Sequence, residues 1–212
     1  MAKHFKQTTR KTSTLIYIVL IALIIIAAIY IVFFIKGRNE TIQESNALNN
    51  VKIDEAKVDT QTTERMLQVQ ELQKENPDVV GWIEIEGTNI NYPVLQGTDN
   101  SYYMTHNYKK EETKDGSIFL DKDYDWSIPS SNLLMYGHNM GDGAMFQDLL
   151  KYENEEFYKQ HPIVRFTTAT EDAEYEIISA FKSRVYYKSE KNVFRYYYFI
   201  NADNEEEYNE FV

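Results

Sequence analysis

Apolar and polar residues follow three different patterns along this chain. From Leu15 to Ile35 (LIYIVLIALIIIAAIYIVFFI) there are 21 residues without a charge. A helix of that length rises about 30 Å, the thickness of a bilayer's hydrocarbon. The run is longer than the roughly 7–15 apolar residues of a secretory signal, and the nearest small-x-small triplet, Ser45-Asn46-Ala47, lies well beyond it. It is apolar on every face, as a helix buried in a soluble core rarely is. The pattern predicts a membrane-spanning helix over residues 15–35.

From Gly37 to about Thr63 the residues are polar, with scattered apolar positions, and read as a stalk with some helical tendency. Thr62 or Thr63 is placed to cap a helix in which Met66, Val69 and Leu72 share one face. Asn76-Pro77 ends it, because the residue before a proline is pushed out of the α region.

Beyond residue 76 the period shortens to two. Val80 to Ile85 alternates as a strand, and Asn89 to Gln96 reads as a second, interrupted by Pro93 in a way that suits an edge or a bulge. Ser117–Leu120, Asn132–Tyr136, Ile163–Thr168 and Glu174–Phe181 are four further short strands. Helical pieces are expected at Ser101–His106, Ala144–Tyr152 and Glu155–Gln160. Many short strands with brief helical connections predict a mainly β fold, a barrel or sandwich.

Charge adds an orientation. Lys3, Lys6, Arg10 and Lys11 precede the apolar run, against Lys36 and Arg38 close behind it. Four basic residues against two favour a cytoplasmic tail over residues 1–14 and place everything after the span outside the cell. All 33 acidic residues but only 18 of the 22 Lys and Arg lie after residue 35, so that part carries an excess of 15 negative charges. Phosphate backbones would repel it, which argues against nucleic-acid binding. Tyrosine dominates the aromatics, 17 against 11 Phe and 2 Trp. Such residues suit both a half-exposed sheet and a groove for an extended ligand.

The sequence contains no cysteine, so disulfides, thiolate metal sites and cysteine nucleophiles are outside these 212 residues. Asp121-x-Asp123-x-Asp125 opens like a calcium loop, but Trp126 and Asn132 stand where glycine and a bidentate glutamate are required. His106 and His161 lie beside helical pieces and suit surface or satisfied-core roles. His138 differs. Leu133-Leu134-Met135-Tyr136 is an apolar strand that runs into Gly137-His138-Asn139 and then a glycine-rich loop. A histidine there is firmly held and still reachable, a good setting for a group that titrates near neutral pH.

Four segments occur together in one order: Asn76-Pro77-Asp78-Val79-Val80-Gly81-Trp82-Ile83, Gly87 to Val94 (GTNINYPV), Gly116-Ser117-Ile118-Phe119-Leu120-Asp121, and Tyr136-Gly137-His138-Asn139-Met140. This ordered set, continued by Asp142 to Phe146, resembles the sortase family and within it class B, which has an N-terminal helical extension before its barrel. The resemblance covers about residues 70–212. It implies an eight-stranded β-barrel of which about six strands lie in this chain, over residues 76–212, with residues 36–75 as stalk and helical extension.

It also implies a thiol transpeptidase. Such enzymes cleave a sorting-signal peptide near the C-terminus of a secreted protein, hold it as a thioester, and pass it to an amine of the cell-wall peptidoglycan. His138 matches the family's catalytic histidine, and Asn100, Met104 and Tyr136, with Phe194 as a looser match, fall where class B enzymes line the peptide groove. No cofactor or metal is implied. The family's nucleophilic cysteine and transition-state arginine belong to strands seven and eight and have no counterpart here. Arg165, Arg184 and Arg195 occupy other places in the pattern. The expectation is an inactive, C-terminally truncated sortase. The alternative is a non-catalytic, membrane-anchored surface protein that binds peptides or wall polymers.

Overall fold

The polar crossover between two parallel strands is the feature of this fold that makes its pocket. The computed structural model describes residues 2–49, 63–128, 132–187, 189–191, 193, 195–200, 202 and 204–211. They fall into two units, Met1–Glu44 and Ser45–Val212.

Helix α1 (Ala2–Asn49), whose residues up to Glu44 make up the first unit, carries the apolar run. Residues Ile16–Gly37 are long and apolar enough to cross a membrane, and every side chain from Ile16 to Lys36 is exposed. The polar stretch after Gly37, read as a stalk, continues this helix as far as Asn49.

The second unit contains helix α2 (Glu64–Glu75). Thr63 is the cap. Its Oγ1 accepts from the Met66 N–H at 3.3 Å, and its own N–H reaches the Met66 sulfur at 3.4 Å. Met66, Val69 and Leu72 are buried on the expected face, joined by Leu67 and Gln68.

Six strands follow: β1 (Val79–Glu84), β2 (Asn91–Leu95), β3 (Ile118–Leu120), β4 (Met135–Tyr136), β5 (Ile163–Thr167) and β6 (Asp172–Glu176). They form one mixed, curled sheet in the order β4-β3-β2-β1-β5-β6, so the described residues contain six strands, the number expected. All neighbours are antiparallel except β2 and β3.

The central strands are buried on both faces, and consecutive residues therefore serve different cores. Ile83, Val94, Ile118 and Leu120 join one cluster with Ile90, Tyr124, Met145 and Phe166. Trp82, Leu95 and Phe119 join the other, beneath α2, with Val69, Leu72, Tyr103 and Tyr108. Arg65 of α2 lies 4.4 Å from the Trp82 ring and 3.2 Å from the Glu84 carboxylate, which fixes the helix to β1.

Two expectations need correction. β2 is an internal strand rather than an edge, and the irregularity of its ladder falls between Val79 and Gly81 of β1. Pro93 is tolerated because the β3 pairing begins only at Val94, so its missing N–H faces no ladder there. The sixth strand stops at Glu176 rather than Phe181, and Ile178 and Phe181 are exposed.

Parallel neighbours cannot be joined by a tight turn. The β2–β3 connection spans residues 96–117 and contains a 3-10 turn at Tyr102–Met104. That crossover and the exit of edge strand β4 supply the two sides of the pocket.

Candidate active site

Tyr103 fixes the crossover from below. Its ring is 1% exposed, and its hydroxyl donates to Asp78 Oδ2 at 2.7 Å while accepting from Asn76 Nδ2 at 3.2 Å. Burial holds the Tyr103 hydroxyl well above the usual phenol range, so it stays a donor. Burial also works against the Asp78 carboxylate, but its bonds to Lys110 and Tyr103 outweigh this and leave its pKa lowered. Gly116 presses on the turn from the other side. It has φ +57°, and a Cβ there would lie 2.4 Å from the Met104 carbonyl oxygen.

The opposite side is built from β4 and the loop after it. Tyr136 is the last residue of the strand, and Gly137 lies under the Phe146 ring, which a Cβ would meet at 2.7 Å. The loop returns on itself, since the Phe146 N–H donates to the His138 carbonyl at 2.8 Å and Asn139 bridges Met145. His138 therefore projects from a closed loop at a sheet edge. Its Nε2 lies 2.7 Å from the Met104 carbonyl oxygen, which joins the two sides.

Between them is a cavity of about 580 Å³, lined by Asn100, Met104, Tyr136 and His138 together with Phe119, Leu134, Met135, Phe146, Tyr196 and Tyr197, among others. That is the size of a small-ligand or peptide side-chain site, mostly apolar with a few convergent polar groups. Four residues singled out from the sequence thus meet in one place. The fifth, Phe194, lies outside the described residues.

His106 and His161 are elsewhere. His106 stacks on Tyr102 with ring centroids 4.0 Å apart, and its Nδ1 lies 2.9 Å from the Tyr102 carbonyl. His161 covers Gly87 and packs 4.5 Å from the Phe157 ring. The aspartates of the calcium-like stretch serve the backbone. Asp121 Oδ1 accepts from the Asp123 N–H, and Asp125 Oδ1 accepts from the Ser127 N–H and hydroxyl. Among the described residues no group of three or more His, Cys, Asp or Glu is arranged to hold a metal.

Sequence reasoning missed Asp121 as part of this site. It is 4% exposed, and its Oδ2 accepts from both Asn100 Nδ2 (2.8 Å) and Tyr136 Oη (2.7 Å). The available signal was its position directly after Ile118-Phe119-Leu120, since a carboxylate ending a fully buried strand requires polar partners.

The chain is similar to known proteins in both sequence and fold. The sequence model of the sortase domain matches residues 83–206. Sortase B of Listeria monocytogenes is 40% identical over 146 residues, 65% of this chain and 59% of that protein. The chain therefore spans less than two thirds of the length of this relative. Among solved structures, sortase B from Bacillus anthracis is similar at a TM-score of 0.66 and 30% identity, over 84% of this chain and 77% of that one. A Staphylococcus aureus sortase B–substrate complex is similar at a TM-score of 0.60 and 33% identity, over 68% of this chain and 63% of that one. A family match over more than half of the sequence, with sortase B relatives in sequence and in fold, means that the chain belongs to the sortase family, in its class B branch.

Proposed function

We propose that this protein works as a class B sortase transpeptidase at the outer face of a membrane. It cleaves a sorting-signal peptide of a secreted protein and transfers it to an amine of the cell-wall peptidoglycan. The observation that carries this reading is the convergence of Asn100, Met104, Tyr136 and His138 on one cavity. The similarity to a sortase B seen with its substrate supports it.

In this reading the extended peptide lies in the pocket between the crossover and β4. A cysteine thiolate attacks the scissile carbonyl, the C–N bond breaks, and the leaving amine takes a proton from His138. The incoming amine then attacks the thioester, gives a proton to His138 and releases the thiolate. Splitting one acyl transfer into two lowers each barrier. The hydrogen bond to Met104 suits the histidine's part. A carbonyl only accepts, so Nε2 carries the proton of the neutral ring, and Nδ1 is the nitrogen that gains and loses one.

None of the 212 residues is a cysteine, so this chain alone is expected to bind peptide without forming a thioester. Helix α1 is proposed to anchor the protein, with residues 1–14 in the cytoplasm and the sheet domain outside, following the basic residues before the span.

The test uses a version extended through two further strands carrying the cysteine and arginine expected by resemblance. It is incubated with sorting-signal peptides, and its intact mass is measured before and after addition of hydroxylamine, which cleaves a thioester to a hydroxamate and frees the thiol. A mass adduct on the thiol that hydroxylamine releases is the expected result. Peptide binding without any adduct would favour a binding-only surface protein.

A further inference from the structure

We propose that Asp121 is a positioning residue that sets the hydrogen-bonding polarity of the groove, so that Asn100 offers an N–H to an extended peptide. The inference rests on the reading of the pocket as a peptide groove. Asp121 itself is buried and does not line the cavity; it acts through Asn100 and Tyr136, which do.

The amide of Asn100 has two chemically different ends, and each meets a neighbour that accepts only one of them. Asp121 Oδ2, a pure acceptor, lies 2.8 Å from Nδ2. The backbone N–H of Lys122, a pure donor, lies 2.8 Å from Oδ1. Turning the amide over would set oxygen against oxygen and N–H against N–H, losing both bonds together. Carboxylate and backbone donor come from adjacent residues, so the clamp moves as one piece. The same Oδ2 accepts from Tyr136 Oη at 2.7 Å, which couples the crossover to β4. The other oxygen is held by the Asp123 N–H at 2.9 Å, and the Asp121 main chain by the Leu134 carbonyl at 2.9 Å and by Gln96 Nε2 at 2.9 Å. With one Nδ2 hydrogen on Asp121, the second is the one directed to a ligand. It selects an acceptor, such as a peptide carbonyl, and disfavours a donor at that point.

Asp121→Asn keeps the size of the side chain and the oxygen that receives the Asp123 N–H, but replaces the shared acceptor with a donor. In the full 212-residue chain in detergent micelles, the Asn100 side-chain amide is followed by nitrogen-15 NMR and assigned by its loss in Asn100→Asp. One Nδ2 proton is expected to be shifted and protected from exchange in the wild type and to lose both properties in Asp121→Asn. An unchanged signal would overturn the proposal.

The exchange variant, Asn100→Asp with Asp121→Asn, rebuilds the contacts with reversed polarity. It separates orientation from mere folding and serves if Asp121→Asn alone does not fold. Its melting temperature should lie near the wild-type value. A capped pentapeptide, selected on the wild type from a random pool, should bind it roughly tenfold more weakly, the effect of one lost hydrogen bond. Wild-type affinity in the exchange variant would contradict the assignment. If the pool yields no binder, the groove reading fails, and the Asn100 amide signal still decides the role of Asp121.

Discussion

The carbonyl oxygen of Met104 lies 2.7 Å from Nε2 of His138, a contact between residues 34 positions apart that joins the crossover to the β4 loop. The position of that oxygen depends on Gly116, whose missing Cβ would stand 2.4 Å from it. Gly116→Ala adds a side chain at φ +57° and drives the turn away. The expected result is a loss of about 1–3 kcal/mol of stability, the range for strained backbone sites. The nitrogen-15 shifts of the His138 ring should move toward those of a mixture of tautomers. Thermal melts and imidazole NMR check both.

Tyr103 supports the same turn through its hydroxyl. Tyr103→Phe removes the donor to Asp78 and the acceptor for Asn76 while keeping the buried ring. A destabilisation of about 1–3 kcal/mol is expected, because the buried Asn76 amide loses a partner. Denaturant titration should show the midpoint falling with an unchanged slope.

Asp78 gives a pH dependence of known sign. Its folded pKa lies below the ordinary 3.8, held there by Lys110 and Tyr103 against the opposing effect of burial. Its contribution is therefore complete above about pH 4 and lost as the pH falls through the lower folded value. Melting temperatures taken from pH 6 down to pH 2 should fall less steeply in Asp78→Asn than in the wild type. Equal slopes would show that Asp78 does not contribute to acid unfolding.

Helix α1 sets the expectation for topology. Protease added to intact cells should digest the region after Lys36 and spare residues 1–14. Digestion of the sheet domain only after lysis would reverse the orientation.

The sequence made some of this fold plain and hid the rest for physical reasons. The strands were legible because period-two alternation survives wherever one face differs from the other, as at Trp82 and Ile83, which serve different cores. The α2 cap was legible because Thr63 stands before a helical apolar face. Pro93 misled, because a proline is excluded from an internal strand only where its N–H would have to serve a ladder, and the pairing with β3 does not reach it. The groove was reached through resemblance, since Asn100 and Met104 sit in a polar crossover without periodicity. Asp121 was missed because its partners, Asn100 and Tyr136, lie 21 and 15 positions away. Spacing along the chain does not reveal that kind of contact.

The central claim is that His138 is the acid–base group of an acyl transfer carried out at this pocket. It is tested most directly by His138→Ala in the version of the chain extended with the expected cysteine and arginine, by measuring transfer of a sorting-signal peptide to an amine. Loss of roughly two orders of magnitude or more in turnover is expected, the usual scale of general acid–base catalysis. The melting temperature should change little, and His106→Ala and His161→Ala should keep most of the activity. Near-normal turnover in His138→Ala would contradict the account.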